Sequence, residues 1–172
     1  MALAALPTQQ PVTLIALTSS GYISGTVHLQ AMKNLRTLLN APEELLKLTD
    51  ARLPGGSQVQ PFLALRKGSA HLIVPKAGPE LLGSEPSSWQ KARRRVTCLL
   101  EHGSIRGYIE VPENLRTSDF LLRSPGFLEF HDCFLGPHPH LGPEELTADP
   151  LPLVYVNSRS MVGVTEEAQS AP

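Results

Sequence analysis

Charge is scarce in this 172-residue chain, with Asp, Glu, Lys and Arg making up 18% of it, against about 25% in ordinary soluble domains. Its 15 basic residues nearly balance its 16 acidic ones, so no polybasic excess marks a general nucleic-acid binder. Aromatics are few, at 5%. The only thiols are Cys98 and Cys133, which excludes a disulfide-built miniprotein and fits a reducing, cytoplasmic setting. No run of about 18 apolar residues is present to span a membrane. Met1 to Leu6 is apolar, but Pro7 ends it and no basic residue precedes it, so it does not read as a secretory signal. What the chain does have is 28 leucines and 16 prolines. That much leucine excludes intrinsic disorder, and the length suits one ordinary domain or two very small ones.

The chain also repeats itself, which is the most informative property of the sequence. Shifted by 82 residues, Gly21-Tyr22-Ile23-Ser24-Gly25 falls on Gly103-Ser104-Ile105-Arg106-Gly107, Leu39 on Leu121, Leu46 on Leu128 and Asp50 on Asp132. Seven of 33 ungapped positions are identical. After a length change, Pro61-Phe62-Leu63-Ala64-Leu65 matches Pro152-Leu153-Val154-Tyr155-Val156. A duplication follows, with a first unit over residues 12–76, a linker over 77–95 and a second unit over 96–166.

Each unit reads as β. Val12 to Leu17 and Val96 to Leu100 are apolar runs closed by turn residues, and the next strand alternates, with Ile23, Gly25, Val27 and Leu29 on one face. Gly25 and Gly107 therefore fall on apolar faces, where a missing side chain lets a strand bend over its own core. Asn34 to Asn40 and Leu115 to Arg123 predict short helical turns, the second N-capped by Thr117 or Ser118 with Asp119 near its positive end. Third strands follow over Leu45 to Leu53 and Phe127 to Leu135. The last element of each unit reads as a hairpin, Phe62–Arg66 with Ala70–Val74 and Leu153–Asn157 with Met161–Thr165. Ser88 to Arg95, at the end of the linker, predicts a short helix. Five short strands used twice give an all-β fold of two tandem Sm-like or SH3-like barrels.

The Gly-x-Ile-x-Gly strand, the Arg116-Thr117-Ser118-Asp119-Phe120-Leu121 segment and the Phe127-Leu128-Glu129-Phe130 strand resemble uncharacterised bacterial domains of Sm-like small-barrel character. The resemblance implies a fold and oligomeric assembly, and no established activity. The first copy lacks a counterpart of Ser118-Asp119, and neither copy carries both loop motifs that Sm-type RNA binding uses.

The search for chemistry finds little. No nucleophile elbow, P-loop, dinucleotide fingerprint or Cys-x-x-Cys pair occurs, so no catalytic residue and no cofactor site is assigned. Cys98 and Cys133 occupy unmatched positions and read as small buried hydrophobes. His131, Asp132, Cys133, His138 and His140 include metal-binding residue types without a standard ligand spacing, so no metal site is assigned there either. Asp50 and Asp132 recur as turn residues that accept backbone N–H bonds. Lys91, Arg93, Arg94 and Arg95 beside Trp89 form the densest basic cluster, the candidate contact for nucleic acid or a protein partner.

Charge separates the two units. Residues 12–76 carry a net +4 and residues 96–166 a net −6; the linker adds +2 and Glu167 adds −1. Opposite fields orient association, and a head-to-tail contact closes into a ring or runs on as a filament. The expected function is a non-enzymatic structural or adaptor protein acting through self-assembly or a protein partner, and the expected state is a charge-assisted homo-oligomer. The alternatives are nucleic-acid binding by a small barrel, or a small-ligand or metal sensor using the loop 136–152.

Overall fold

The computed structural model describes residues 9–30, 33–76, 90–124, 126–136, 146 and 150–167. The first half runs β1 (Gln10–Thr18), β2 (Gly21–Leu29), α1 (Leu35–Asn40), β3 (Leu45–Arg52), β4 (Val59–Arg66) and β5 (Ala70–Lys76). The second half follows the same order, with β6 (Lys91–Leu100), β7 (Gly103–Pro112), α2 (Thr117–Arg123), β8 (Phe127–Leu135), β9 (Leu151–Asn157) and β10 (Met161–Glu166). All-β character is therefore as expected.

The ten strands form one antiparallel sheet ordered β10-β6-β7-β8-β9-β5-β1-β2-β3-β4. It does not close: among the described residues β4 and β10 are its two edges. The elements expected as final hairpins are not hairpins. A 3-10 turn at Lys67–Ser69 redirects the chain after β4, and β5 then pairs with β1 on one side and β9 on the other. β10 likewise leaves β9 through a turn at Ser158–Ser160 and pairs with β6. The physical reason lies in composition. Ala70 to Val74 is buried throughout, and a strand buried on both faces belongs in the middle of a sheet.

Alternation along the central strands feeds two cores. On β1, Leu14 and Ala16 enter the first core, while Ile15 and Leu17 enter the second. On β5, Ile73 goes to the first and Leu72 and Val74 to the second. On β9, Leu153 and Tyr155 go to the first, and Val154 and Val156 to the second.

The recurring glycine and aspartate are parts of one device. The β2–β3 register shifts between Ser24 and Thr26, and the β7–β8 register between Arg106 and Tyr108. Gly25 and Gly107 lie at these shifts, with Asp50 and Asp132 opposite in left-handed conformations at φ 51° and 48°. Asp50 and Asp132 are thus strand-bulge residues rather than turn caps; aspartate is among the few L-residues that tolerate this region. A Cβ on Gly107 would stand 2.9 Å from the His131 carbonyl oxygen, so the strand crosses closely there.

Helix α1 begins as expected, the Asn34 side chain accepting from the Thr37 N–H at 2.8 Å. Its far end is capped by the buried Lys67, whose Nζ donates to the carbonyls of Leu38 (2.7 Å) and Ala41 (3.0 Å), a favourable place for a cation. Helix α2 differs from expectation. Arg116 holds the N-cap position without a side-chain cap, because the Thr117 hydroxyl is engaged elsewhere, donating to Glu166 at 2.6 Å and accepting from Arg94 at 3.1 Å.

Candidate functional site

The basic cluster lies in a strand. Lys91 to Arg95 open β6, so neither the helix expected over Ser88 to Arg95 nor a linker running to residue 95 accounts for them. Trp89 lies outside the described residues. The strand sets each cation against a carboxylate: Lys91 Nζ is 3.1 Å from Glu110, Arg93 pairs with Asp132, Arg94 Nη1 is 3.6 Å from Glu166 and Arg95 Nε is 3.0 Å from Glu167. Arg93 also covers the Tyr108 ring at 4.4 Å, and Arg94 Nη2 donates to the Leu115 carbonyl at 2.9 Å. These cations organise the second half locally. With the four of them added, the net charge over residues 91–166 is −2 rather than −6, so the charge contrast between the halves is modest.

The remaining candidates separate. His131 is half-buried, Asp132 is exposed and Cys133 is buried; His138 and His140, like most of the loop 136–152, lie outside the described residues. Cys98 and Cys133 sit in the second core, and burial pushes both thiols up to about 12. Neither thiol has the exposed, electropositive setting of a reactive cysteine.

The geometry of most consequence lies between the halves. β5 and β9 pair with Leu72 opposite Val156 and Ile73 opposite Tyr155. Phe127, Leu153 and Tyr155 of the second half pack into the first core. Asn40 at the end of α1 brackets the Phe127 backbone, accepting from its N–H at 2.7 Å and donating to its carbonyl at 3.2 Å. Asn157 Nδ2 donates to the Ala70 carbonyl at 3.0 Å, and Arg36 stands 3.8 Å from Glu129. This seam combines a strand pair, apolar packing and buried hydrogen bonds.

Among the described residues neither sheet edge pairs with a further strand, and both carry exposed apolar side chains. Beside and along β4, Leu45 is 47% and Phe62 56% exposed; at the other edge Leu122 of α2 is 85% and Val162 of β10 67% exposed. α2 and β10 enclose a groove of about 610 Å³ whose apolar lining is Leu121, Leu122, Met161, Val162 and Val164. Sequence reasoning missed these edges, although the repeat pairs Leu45 with Phe127 and Phe62 with Leu153.

It also missed His71, a histidine in an otherwise apolar run. His71 is 8% exposed, its Nδ1 lies 3.0 Å from Ser160 Oγ, and its Nε2 is buried without a hydrogen-bond partner among the described residues. Burial lowers its pKa; Glu101 opposes that and His102 adds to it. Comparisons with protein families, with curated proteins and with solved structures find no match.

Proposed function

We propose that the protein is a non-enzymatic structural module of two small-barrel units that assembles head to tail through its sheet edges. One observation carries this: the seam between β5 and β9 joins the fifth strand of one half to the fourth strand of the other. The free edges are again a fifth strand, β10, and a fourth strand, β4. The chain thus contains one worked example of the contact its two ends could make with further copies. The repeat gives the register: Val164 matches Ile73 and Ala64 matches Tyr155, so Val164 would face Ala64 and Gly163 would face Leu65. Leu45 and Phe62, at the positions of Phe127 and Leu153, would pack beneath α2 of the neighbouring copy.

Two considerations support self-association over a purely solvated surface. An edge strand is a template for pairing with another chain; neither described edge carries a run of charge, and Pro61 of β4 matches Pro152 of β9, a strand that pairs with β5 all the same. Exposed apolar residues on both sides of such a contact are what a specific interface buries. A heterologous contact of this type propagates until it closes.

Light scattering coupled to size exclusion across a protein concentration series tests the proposal. Wild type is expected to be larger than a monomer. Phe62→Lys, blocking the β4 edge, and Val162→Lys, blocking the β10 edge, are each expected to be monomeric. An equimolar mixture of the two variants retains one good β4 and one good β10 edge, so it should form dimers and nothing larger. A monomeric wild type at all concentrations, or a mixture that stays monomeric, overturns the proposal.

A further inference from the structure

The seam holds a cluster that the assembly contact does not use. Glu101 and His102 form the turn between β6 and β7, and one donor atom from each of them and one from His71 lie within 4.8 Å of one another. The two histidine rings meet edge to face with centroids 5.9 Å apart. His71 comes from the first half and the other two from the second, so the cluster straddles the joint.

We infer that His71 Nε2, His102 and Glu101 form a binding site for a zinc-class divalent cation that clips the two halves together. The orphaned Nε2 is the second observation beside the cluster itself. A buried ring nitrogen without a partner is rare and needs an explanation. When Nδ1–H donates to Ser160 Oγ, the lone pair rests on Nε2 and is left for a metal, and such an outer hydrogen bond is what fixes the tautomer of a metal-binding histidine.

Backbone geometry places the ring there. The β1–β5 register shifts between Leu17 and Thr18, whose partners are Leu72 and Ala70, so His71 is the extra residue of a bulge, a feature that re-aims a side chain. Two imidazoles and a carboxylate match the donor set zinc prefers, at about 2.0–2.2 Å per bond. Glu101 and His102 are exposed on a turn and can rotate to close the present spacing. Three protein ligands leave a fourth position for water.

The site belongs to this seam alone. In the β6–β10 pairing the same register shift falls between Met161 and Gly163, so Val162 stands where His71 does, and the repeat places Ser19 and Ser20 where Glu101 and His102 stand. A contact between β10 and β4 of separate copies would therefore carry no ligands. The metal distinguishes the permanent joint from any joint between chains.

The test uses tag-free, chelator-treated full-length protein titrated with cobalt(II), read by its visible absorption, and then with zinc sulfate as competitor. One equivalent per chain is expected to bind, with zinc displacing the cobalt and raising the melting temperature. His102→Gln, on the surface and without effect on the circular dichroism spectrum, is expected to weaken binding at least tenfold, and His71→Gln likewise. A His138→Gln/His140→Gln variant is expected to bind as wild type. Absence of one-equivalent binding, unchanged binding by His102→Gln, or loss of binding in the His138/His140 variant overturns the inference. Monomeric protein that binds zinc would sink the assembly proposal and leave the metal site standing.

Discussion

Adding a single methyl group at Gly107 tests the crossed-strand geometry directly. The new Cβ would lie 2.9 Å from the His131 carbonyl oxygen, 3.0 Å from Cys133 Sγ and 3.4 Å from Cys133 Cα. Two of those neighbours are backbone atoms of the bulged β8, which cannot swing aside as a side-chain tip can. Overpacking of this kind costs about 1–3 kcal/mol. The restricted unfolded chain returns about 0.4–1 kcal/mol to a Gly→Ala change, so Gly107→Ala should lose about 1–2 kcal/mol net. For a chain of this size that is a fall in melting temperature of about 2–8 °C. Gly25→Ala meets Leu48 Cβ at 3.0 Å, the Thr49 carbonyl oxygen at 3.3 Å and Leu48 Cδ1 at 3.4 Å. Leu48 Cβ is held by its own backbone and the Thr49 oxygen is main chain, so the loss there should be comparable. Gly68 has nothing within 4 Å, and Gly68→Ala should be neutral or slightly stabilising. Differential scanning fluorimetry of the three variants gives the ranking. Gly107→Ala as stable as Gly68→Ala would refute the close crossing.

The bulge makes a second demand, on Asp50. Replacing it with alanine should lower stability by about 1 kcal/mol, since alanine lacks the local hydrogen bonding that eases the left-handed region, whereas Asp50→Gly should be near neutral; urea unfolding showing equal losses would count against the bulge. Thiol labelling with Ellman's reagent at pH 8 should find no fast-reacting cysteine in folded protein and two after denaturation, because burial holds Cys98 and Cys133 at about 12; rapid labelling of either in the native state would contradict their burial. Glu129 is raised by burial, with Arg36 the largest opposing influence, so the folded protein keeps its proton to higher pH than the unfolded chain does. The contribution of Glu129 relative to Glu129→Gln should therefore be fully present at and below its ordinary value of 4.5 and be lost as pH rises through the higher folded value. Unfolding curves at pH 4.5, 5.5 and 7 check the sign, and a difference that grows with pH would reverse it.

Local pattern in the sequence carried the strands and their bends. The apolar runs Leu14 to Leu17 and Leu153 to Val156 mark strands buried on both faces, and the matched Gly25/Gly107 and Asp50/Asp132 mark the bulges. What local pattern could not carry was long-range pairing. Leu72 opposite Val156 is a contact across more than eighty positions, with no turn residue to announce it, so β5 looked like the second arm of a hairpin with β4. The start of β6 was hidden for a related reason. Lys91, Arg93 and Arg95 read as a short helix ending the linker because the carboxylates that neutralise them, among them Glu110 and Asp132, arrive from neighbouring strands. Thr117 looked like a helix cap because Arg94 and Glu166 are far from it in sequence. The repeat did contain the outer edges, since it places Leu45 and Phe62 at positions that are buried in the second half.

The sharing of β1, β5 and β9 between two cores has a consequence for how the molecule comes apart. Cutting the chain between residues 76 and 90 would divide it at the boundary of the repeat, yet neither fragment would own a complete interior. The first would lose Phe127, Leu153 and Tyr155; the second would lose Ile15, Leu17, Leu72 and Val74. The halves are therefore each expected to be unstable alone and to regain structure when mixed with the other. Intact, they should melt in a single cooperative transition.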